Sequence, residues 1–169
     1  MNAVYLSLGC NMGACREGLA RAVRRLEELE GVRIIAVSSV YRTEPVGGVR
    51  QPDFLNIAVG LETELPPDVL HRACRTIEEE LGGRQGRVPM GPRTMDIDIL
   101  LYGKKTITGR DLTIPHPRLR ERAFVLVPLH EIAAAVEIPG DGSIGEALAG
   151  LDDGARVEMS GSLKETGDQ

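Results

Sequence analysis

Gly91-Pro92-Arg93-Thr94-Met95-Asp96-Ile97-Asp98-Ile99-Leu100-Leu101 is the stretch on which the fold turns. It opens on a turn pair and continues in β-branched and aliphatic residues, the composition of a strand. Side chains alternate along a strand, so Asp96 and Asp98 share one face while Ile97, Ile99 and Leu101 share the other. The aliphatic face belongs against a core. The two carboxylates, one pleat apart, repel each other unless something positive stands between them. A hard divalent cation does this, and Mg²⁺ takes one or two carboxylates and completes its shell with water and phosphate oxygens. An edge strand that displays charge to resist aggregation gives the same pattern, so the rest of the chain has to decide.

Outward from that stretch the chain alternates strands and helices without repeats or a linker. Val4, Leu6 and Leu8 alternate in a first strand, and Gly9 to Gly13 is a turn. Leu19, Ala22, Val23, Leu26 and Leu29 recur at helical spacing until Gly31. Val32 to Tyr41 reads as a second strand, and Leu55, Ile57, Val59 and Leu61 alternate in a third with Phe54, Asn56 and Ala58 on its other face. Pro66-Pro67 opens a helix with the stripe Leu70, Ala73, Cys74, Ile77 and Leu81, closed by Gly82-Gly83. After the Asp96 strand come an extended, Pro-punctuated stretch over 107–117, a partly helical 120–135, and a further C-terminal strand and helix segment. The residues from 161 to 169 have little to bury and read as a disordered tail after a single domain over 1–160. The order β-α-β-β-α-β predicts an α+β, ferredoxin-like fold, an antiparallel sheet with helices on one face. Phe54, Asn56, Asp96 and Asp98 then meet on the opposite, uncovered face.

At 169 residues the chain can bury roughly 70% of its unfolded surface. Its net charge of −5 speaks against general nucleic-acid binding, and no apolar run is long enough to cross a membrane. Met1 leads straight into a strand, with no signal-peptide pattern, and Cys10, Cys15 and Cys74 fit a reducing cytoplasm and structural roles. The charge is uneven. Residues 131–169 carry nine acids and two bases, whereas 82–93 carries Arg84, Arg87 and Arg93 without an acid. Flanked by glycines and prolines, these arginines read as an anion site on a loop that closes over a polyanion. No phosphate-cradling Gly-x-x-x-x-Gly-Lys motif, dinucleotide fingerprint, Gly-x-Ser-x-Gly or His-Glu-x-x-His is present, so a nucleotide has to be held by side chains. His71 and His130 read as solvated helix residues. His116, fixed between Pro115 and Pro117 near Arg118, suits a phosphate donor.

Five stretches then resemble one family in order and spacing: Tyr41-Arg42-Thr43-Glu44-Pro45, Gln51-Pro52-Asp53-Phe54-Leu55-Asn56, the opening stretch through Leu100, Thr113-Ile114-Pro115-His116-Pro117-Arg118, and Arg122-Ala123-Phe124-Val125-Leu126-Val127-Pro128-Leu129. They are similar to the 6-hydroxymethyl-7,8-dihydropterin pyrophosphokinases of folate biosynthesis. The resemblance covers about 2–150. It implies transfer of the β,γ-diphosphoryl group of ATP to the pterin hydroxymethyl oxygen with release of AMP, by a cytoplasmic, Mg²⁺-dependent monomer with the ferredoxin-like fold. It implies two Mg²⁺ ions on Asp96 and Asp98, and a pterin ring between Phe54 and Phe124, with Asn56 hydrogen-bonding its polar edge and the stretch Thr43, Glu44, Pro45 and Val46 closing the pocket through backbone groups. ATP would meet Glu78, Arg84, Arg87, Arg93, Ile99, Thr113, His116 and Arg122, with Arg84 and Arg93 joining the two aspartates in catalysis. The chain has only two phenylalanines, and both fall at the sandwich positions. Stacking is worth about 0.5–1.5 kcal/mol per face beyond burial.

One region departs from the family pattern. Leu81-Gly82-Gly83-Arg84-Gln85-Gly86-Arg87-Val88-Pro89-Met90 displaces the arginines and has Met90 where tryptophan is usual, which leaves Arg84 and Arg87 to supply a phosphate clamp with their individual roles open. Two other classes fit parts of the pattern: a sheet that stacks RNA bases, against which the acidic balance and a single exposed aromatic weigh, and a catalytically weak pterin- or nucleotide-binding regulator of the same fold.

Overall fold

The computed structural model describes residues 1–45, 50–82, 94–152 and 156–163. Val46 and the arginine loop with Arg84, Arg87, Met90 and Arg93 therefore lie outside the described residues. Strand β1 (Asn2–Cys10) leads into helix α1 (Cys15–Glu28), then β2 (Val32–Val37), β3 (Tyr41–Thr43) and β4 (Phe54–Thr63). Helix α2 (Pro67–Gly82), β5 (Asp96–Tyr102) and the short hairpin β6 (Ile107–Thr108) and β7 (Thr113–Ile114) follow. The chain ends on α3 (Ala123–Ala133), α4 (Ile144–Ala149) and β8 (Val157–Met159). All pairings are antiparallel, in the order β5-β1-β4-β3-β8, with β2 on the same edge of β4 as β3. The arrangement β5-β1-β4-β2 around α1 and α2 is the ferredoxin-like one expected.

The stretch 32–41 is two strands, not one. Ser38 interrupts the ladder by using its hydroxyl as well as its backbone on Ala58: the Ala58 N–H donates to Ser38 Oγ at 2.8 Å, and the Ser38 N–H donates to the Ala58 carbonyl. The next N–H, of Ser39, goes to the Glu131 carboxylate instead of a strand. Beyond that break β3 resumes along β4.

The main core lies between the sheet and its two long helices. Leu6, Leu8, Ile57, Val59, Ile97 and Ile99 meet Leu19 and Leu26 of α1 and Leu70, Cys74 and Ile77 of α2. Each fully buried leucine there contributes about 1.5–3 kcal/mol over exposure. The expectation of an uncovered second face is corrected over half its length. Val125, Leu126, Leu129 and Ala133 of α3 pack on Ala58, Leu100 and Leu101. Leu101 belongs to that second cluster, not to the face of Ile97 and Ile99. Leu6 stands opposite Ile99 and Tyr5 opposite Leu101, so Leu100 is one residue extra and the alternation inverts after it.

Two further expectations meet the structure at the chain's turns and end. Cys10 and Cys15 are joined in a disulfide across the β1–α1 turn, where Gly13 takes a positive φ of 74° and brings the two Cα atoms to 5.6 Å. Cys74 remains a buried free thiol, its pKa pushed up to about 12 chiefly by burial. At the other end, Gly161 accepts the Val40 N–H and Leu163 packs on the main core, while 164–169 lie outside the described residues. Among the described residues no helix is long and apolar enough to cross a membrane.

Candidate functional site

Residues opposite one another in an antiparallel pair point to the same face, so the register fixes which side chains meet. Asp96, Gly9, Asn56 and Tyr41 form one row across β5, β1, β4 and β3. Asp98, Ser7 and Ala58 form the next row on the same face, and Phe54 stands opposite Thr43 on the other side of the first. The four residues expected to share a face therefore do so, with Phe54, Asp96 and Asp98 half-buried and Asn56 buried. Gly9 matters here by what it lacks: a Cβ would sit 2.7 Å from Asn56 Oδ1. Its absence lets Asn56, only 3% exposed, lie over β1 and donate through Nδ2 to Thr43 Oγ1 at 2.8 Å.

Asp96 and Asp98 are half-buried, with Ile97 and Ile99 sealed on the opposite face. Ile97, between them, turns its N–H to the open side of β5, where Glu78 Oε2 on α2 accepts it at 2.8 Å. The other oxygen of Glu78 pairs with Arg75 Nη1 at 3.4 Å. Burial, ahead of the nearby Asp96 and Asp98 charges, holds this carboxyl above the usual carboxylate range. Glu78, expected as an ATP contact, is brought beside β5 and engaged in holding that strand.

A cavity of 230 Å³ opens at Asp98 and gathers Ile99, Thr113 and His116 from the expected ATP residues. Arg75, His71 and Arg110 also line it, and sequence reasoning missed all three. His71 in particular is not simply solvated, since it accepts from Arg75 Nε at 3.3 Å. The signal was present as His71, Arg75 and Glu78 at helical spacing on one side of α2. The His116 N–H donates to the Leu100 carbonyl, tying the Pro-flanked segment to β5, and its Nδ1 accepts the Arg118 N–H. Burial, then Arg122 and Arg118, push its pKa below the ordinary histidine value. At neutral pH the ring is therefore uncharged, with Nε2–H as its donor. Arg122 also lies 5.4 Å from the centre of the Phe124 ring, so it stands between the cavity side and the aromatic side of the site.

Phe124 is half-buried in the first turn of α3, and Phe54 is half-buried at the start of β4. What orients α3 over β3 is a clamp that the sequence did not reveal. Glu131 accepts from the Tyr41 hydroxyl at 2.6 Å and from Ser39. A larger cavity of 580 Å³ lies elsewhere, lined by Asn11, Cys15, Arg16, Arg42, Asp53 and Leu55. It contains none of the expected site residues. Among the described residues no group of three or more potential ligands converges on one point. Two hard carboxylates beside an open cavity still suit a cation that draws its remaining ligands from water and phosphate.

Residues 5–134 match the family model described as 7,8-dihydro-6-hydroxymethylpterin-pyrophosphokinase. The chain is 46% identical over 152 residues to the 2-amino-4-hydroxy-6-hydroxymethyldihydropteridine pyrophosphokinase of Methylorubrum extorquens, covering 90% of this chain and 95% of that one. The protein of the same name from Bacillus subtilis is 46% identical over 136 residues, 80% of this chain and 81% of its relative. That of Haemophilus influenzae is 37% identical, over 95% and 99% of the two chains. A crystal structure of an HPPK-DHPS in complex with substrates superposes with a TM-score of 0.68 at 15% identity. It covers 88% of this chain and 43% of the other, so this chain spans under half of that two-part protein. A wild-type Plasmodium falciparum HPPK-DHPS with pteroate gives 0.68 at 16% identity, over 88% and 42%. At such identity these structures speak for the fold alone.

Proposed function

The chain belongs to the 7,8-dihydro-6-hydroxymethylpterin-pyrophosphokinase family, and from that premise we propose that it transfers the diphosphoryl group of ATP to 6-hydroxymethyl-7,8-dihydropterin, giving the pterin diphosphate and AMP in the cytoplasm. One observation carries the assignment of the site: a single sheet face holds Phe54 and Asn56 at one side and the half-buried Asp96 and Asp98 at the other, with Gly9 between. A flat heteroaromatic with a polar edge fits the first pair, and a metal-bound polyphosphate the second.

In this reading Phe54 and Phe124 stack on the ring, and Asn56, held by Thr43, reads its amide-like edge together with the Thr43–Val46 segment. The nucleotide enters the cavity of Ile99, Thr113 and His116, so that its phosphates run toward Asp98. Asp96 and Asp98 are the residues that would hold Mg²⁺, two ions by the family pattern, and Mg²⁺ would neutralise phosphate charge and lower the alcohol's pKa there. Neutral His116 donates from Nε2 to a phosphate oxygen without adding a proton to the site. Arg122 supplies fixed positive charge from α3, and Arg84, Arg87 and Arg93 supply more from the Gly-rich loop. Glu78 acts through β5: its bond to the Ile97 N–H fixes the strand segment that sets the spacing of the two aspartates. The hydroxymethyl oxygen attacks the β-phosphorus in line and AMP departs, so positioning and charge neutralisation account for the catalysis.

The test is stoichiometric. With ATP, Mg²⁺ and the pterin, the chain should release AMP and pterin diphosphate in equal amounts. Formation of ADP instead, or binding of both substrates with no AMP above the blank, would overturn the assignment as a pyrophosphokinase.

A further inference from the structure

The Cys10–Cys15 disulfide lies where its state can be felt by the pterin side of the site. Cys10 ends β1, only 1% exposed, directly after Gly9 and opposite Leu55. Cys15 begins α1 and is half-buried, and it lines the 580 Å³ cavity together with Arg16 and Arg42. The turn they close contains Asn11, itself 5% exposed, whose Nδ2 donates to Gln51 Oε1 at 2.8 Å and to the Pro52 carbonyl at 3.0 Å. Gln51 and Pro52 lead directly into Phe54 and Asn56. The bond thus pins one buried amide, and that amide pins the strap that delivers two pterin-side residues.

We propose that Cys10 and Cys15 form a reversible thiol–disulfide site, reduced by low-molecular-weight thiols that enter the neighbouring cavity, and that its oxidised form orders residues 51–56 for pterin. The proposal rests on the pterin reading given above, but its thiol chemistry does not. An incoming thiolate reaches Cys15 Sγ, the more accessible sulfur, forms a mixed disulfide with it and releases Cys10 as a thiolate that takes up a proton. A second thiolate attacks the outer sulfur of the mixed disulfide and forms the small-molecule disulfide. Cys15 leaves as a thiolate, and the first turn of α1 suits that charge because Ala14 offers its N–H groups no side-chain acceptor. Two electrons pass from the two small thiols to the protein, and oxidised small-molecule disulfide reverses the sequence. Arg16 and Arg42 line that cavity beside Glu17 and Asp53, so its wall offers both cations and anions, which suits a zwitterionic thiol such as glutathione. The same reversibility reconciles a disulfide with a cytoplasmic setting.

With Cys10 and Cys15 reduced, Asn11 is free to leave Gln51 and Pro52, and pterin should bind about threefold to tenfold more weakly, the weight of one hydrogen bond, while ATP binding is unchanged. The test equilibrates the full chain in glutathione buffers of graded ratio and follows thiol alkylation by mass. Pterin and ATP affinities are then measured in both forms, with hydrogen exchange over 50–56. Cys74 stays unalkylated in the native protein and serves as the internal reference. The Cys10→Ser/Cys15→Ser protein should match the reduced form and ignore the buffer. Failure of the two thiols to cycle, or equal protection and equal pterin affinity in the two forms, would overturn the proposal. If the thiols cycle and the 50–56 protection follows them while neither form binds pterin, the functional reading falls and the redox site stands.

Discussion

Replacing Gly9 with alanine isolates the one close approach on which the site's geometry depends. Gly9 is not among the residues with positive φ, so an alanine fits its backbone. By conformational entropy alone, Gly→Ala within a strand is favourable by about 0.5–1 kcal/mol. Against that stands the new Cβ, 2.7 Å from Asn56 Oδ1, a distance that real Cβ atoms do not tolerate. Asn56 must move, and moving it breaks the bond from its Nδ2 to Thr43 Oγ1. Both residues are under 5% exposed, so the orphaned groups cost about 1–3 kcal/mol. The clash therefore outweighs the backbone gain, leaving a net loss of about 0–2.5 kcal/mol. In a chain of this size that lowers the melting temperature by about 2–4 °C per kcal/mol. On the proposed reading of Asn56 as a pterin contact, displacing its amide should lower pterin affinity about tenfold, equivalent to about 1.4 kcal/mol, with ATP affinity unchanged. Titration calorimetry with each substrate and a thermal melt read both effects. The double variant Gly9→Ala/Asn56→Ala supplies the control: with Asn56 truncated, the alanine at position 9 should cost nothing further. A Gly9→Ala protein that melts higher than wild type and binds pterin equally well would refute the reasoning.

The remaining expectations follow from the carboxylates and the imidazole. Asp98→Asn keeps the shape of β5 and should lower turnover by about 10²–10³-fold, with a melting curve unchanged; wild-type turnover at ordinary Mg²⁺ would remove Asp98 from the chemistry. Glu78→Gln keeps an acceptor for the Ile97 N–H and relieves a buried charge, so its stability should equal or exceed wild type, whereas Glu78→Ala leaves that N–H unpaired and should cost about 1–3 kcal/mol. Equal denaturant midpoints for the two variants would show that the bond does not hold β5. His116 titrates below the ordinary value of 6.5 when folded, so the unfolded chain takes up the proton first as pH falls. The stability from its neutral ring is complete above pH 6.5 and declines as pH drops from there toward the lowered folded value. His116→Gln should flatten that part of the stability–pH curve, and an unaltered slope would place the titration elsewhere.

Much of this was legible in the chain because it is written in short periods. The alternation of Asp96, Ile97, Asp98 and Ile99 assigns each side chain to a face with no knowledge of neighbours, and the stripes from Leu19 and Leu70 do the same for α1 and α2. What stayed hidden depends on contacts that have no period. The extra residue at Leu100 inverts the alternation beyond it, and a one-residue insertion leaves no trace in a run of aliphatic side chains. His71 and Arg75 are polar helix residues until the β6–β7 hairpin folds against that side of α2 and turns them into a cavity wall. The cysteine pairing depends on the backbone at Gly13, and the Tyr41–Glu131 clamp joins positions ninety residues apart. The covering of the second face was readable in principle. Along that face β5 passes from Leu100 to Asp98 and Asp96, while β4 passes from Ala58 to Asn56 and Phe54. A sheet face that is aliphatic at one end and acidic at the other cannot be wholly buried or wholly solvated. It needs an apolar cover that stops partway, and α3, buried at Ala123, Val125, Leu126, Leu129 and Ala133, has that character. Its first turn sets the border between core and site, which is why Phe124 and Arg122 stand at that end of the helix.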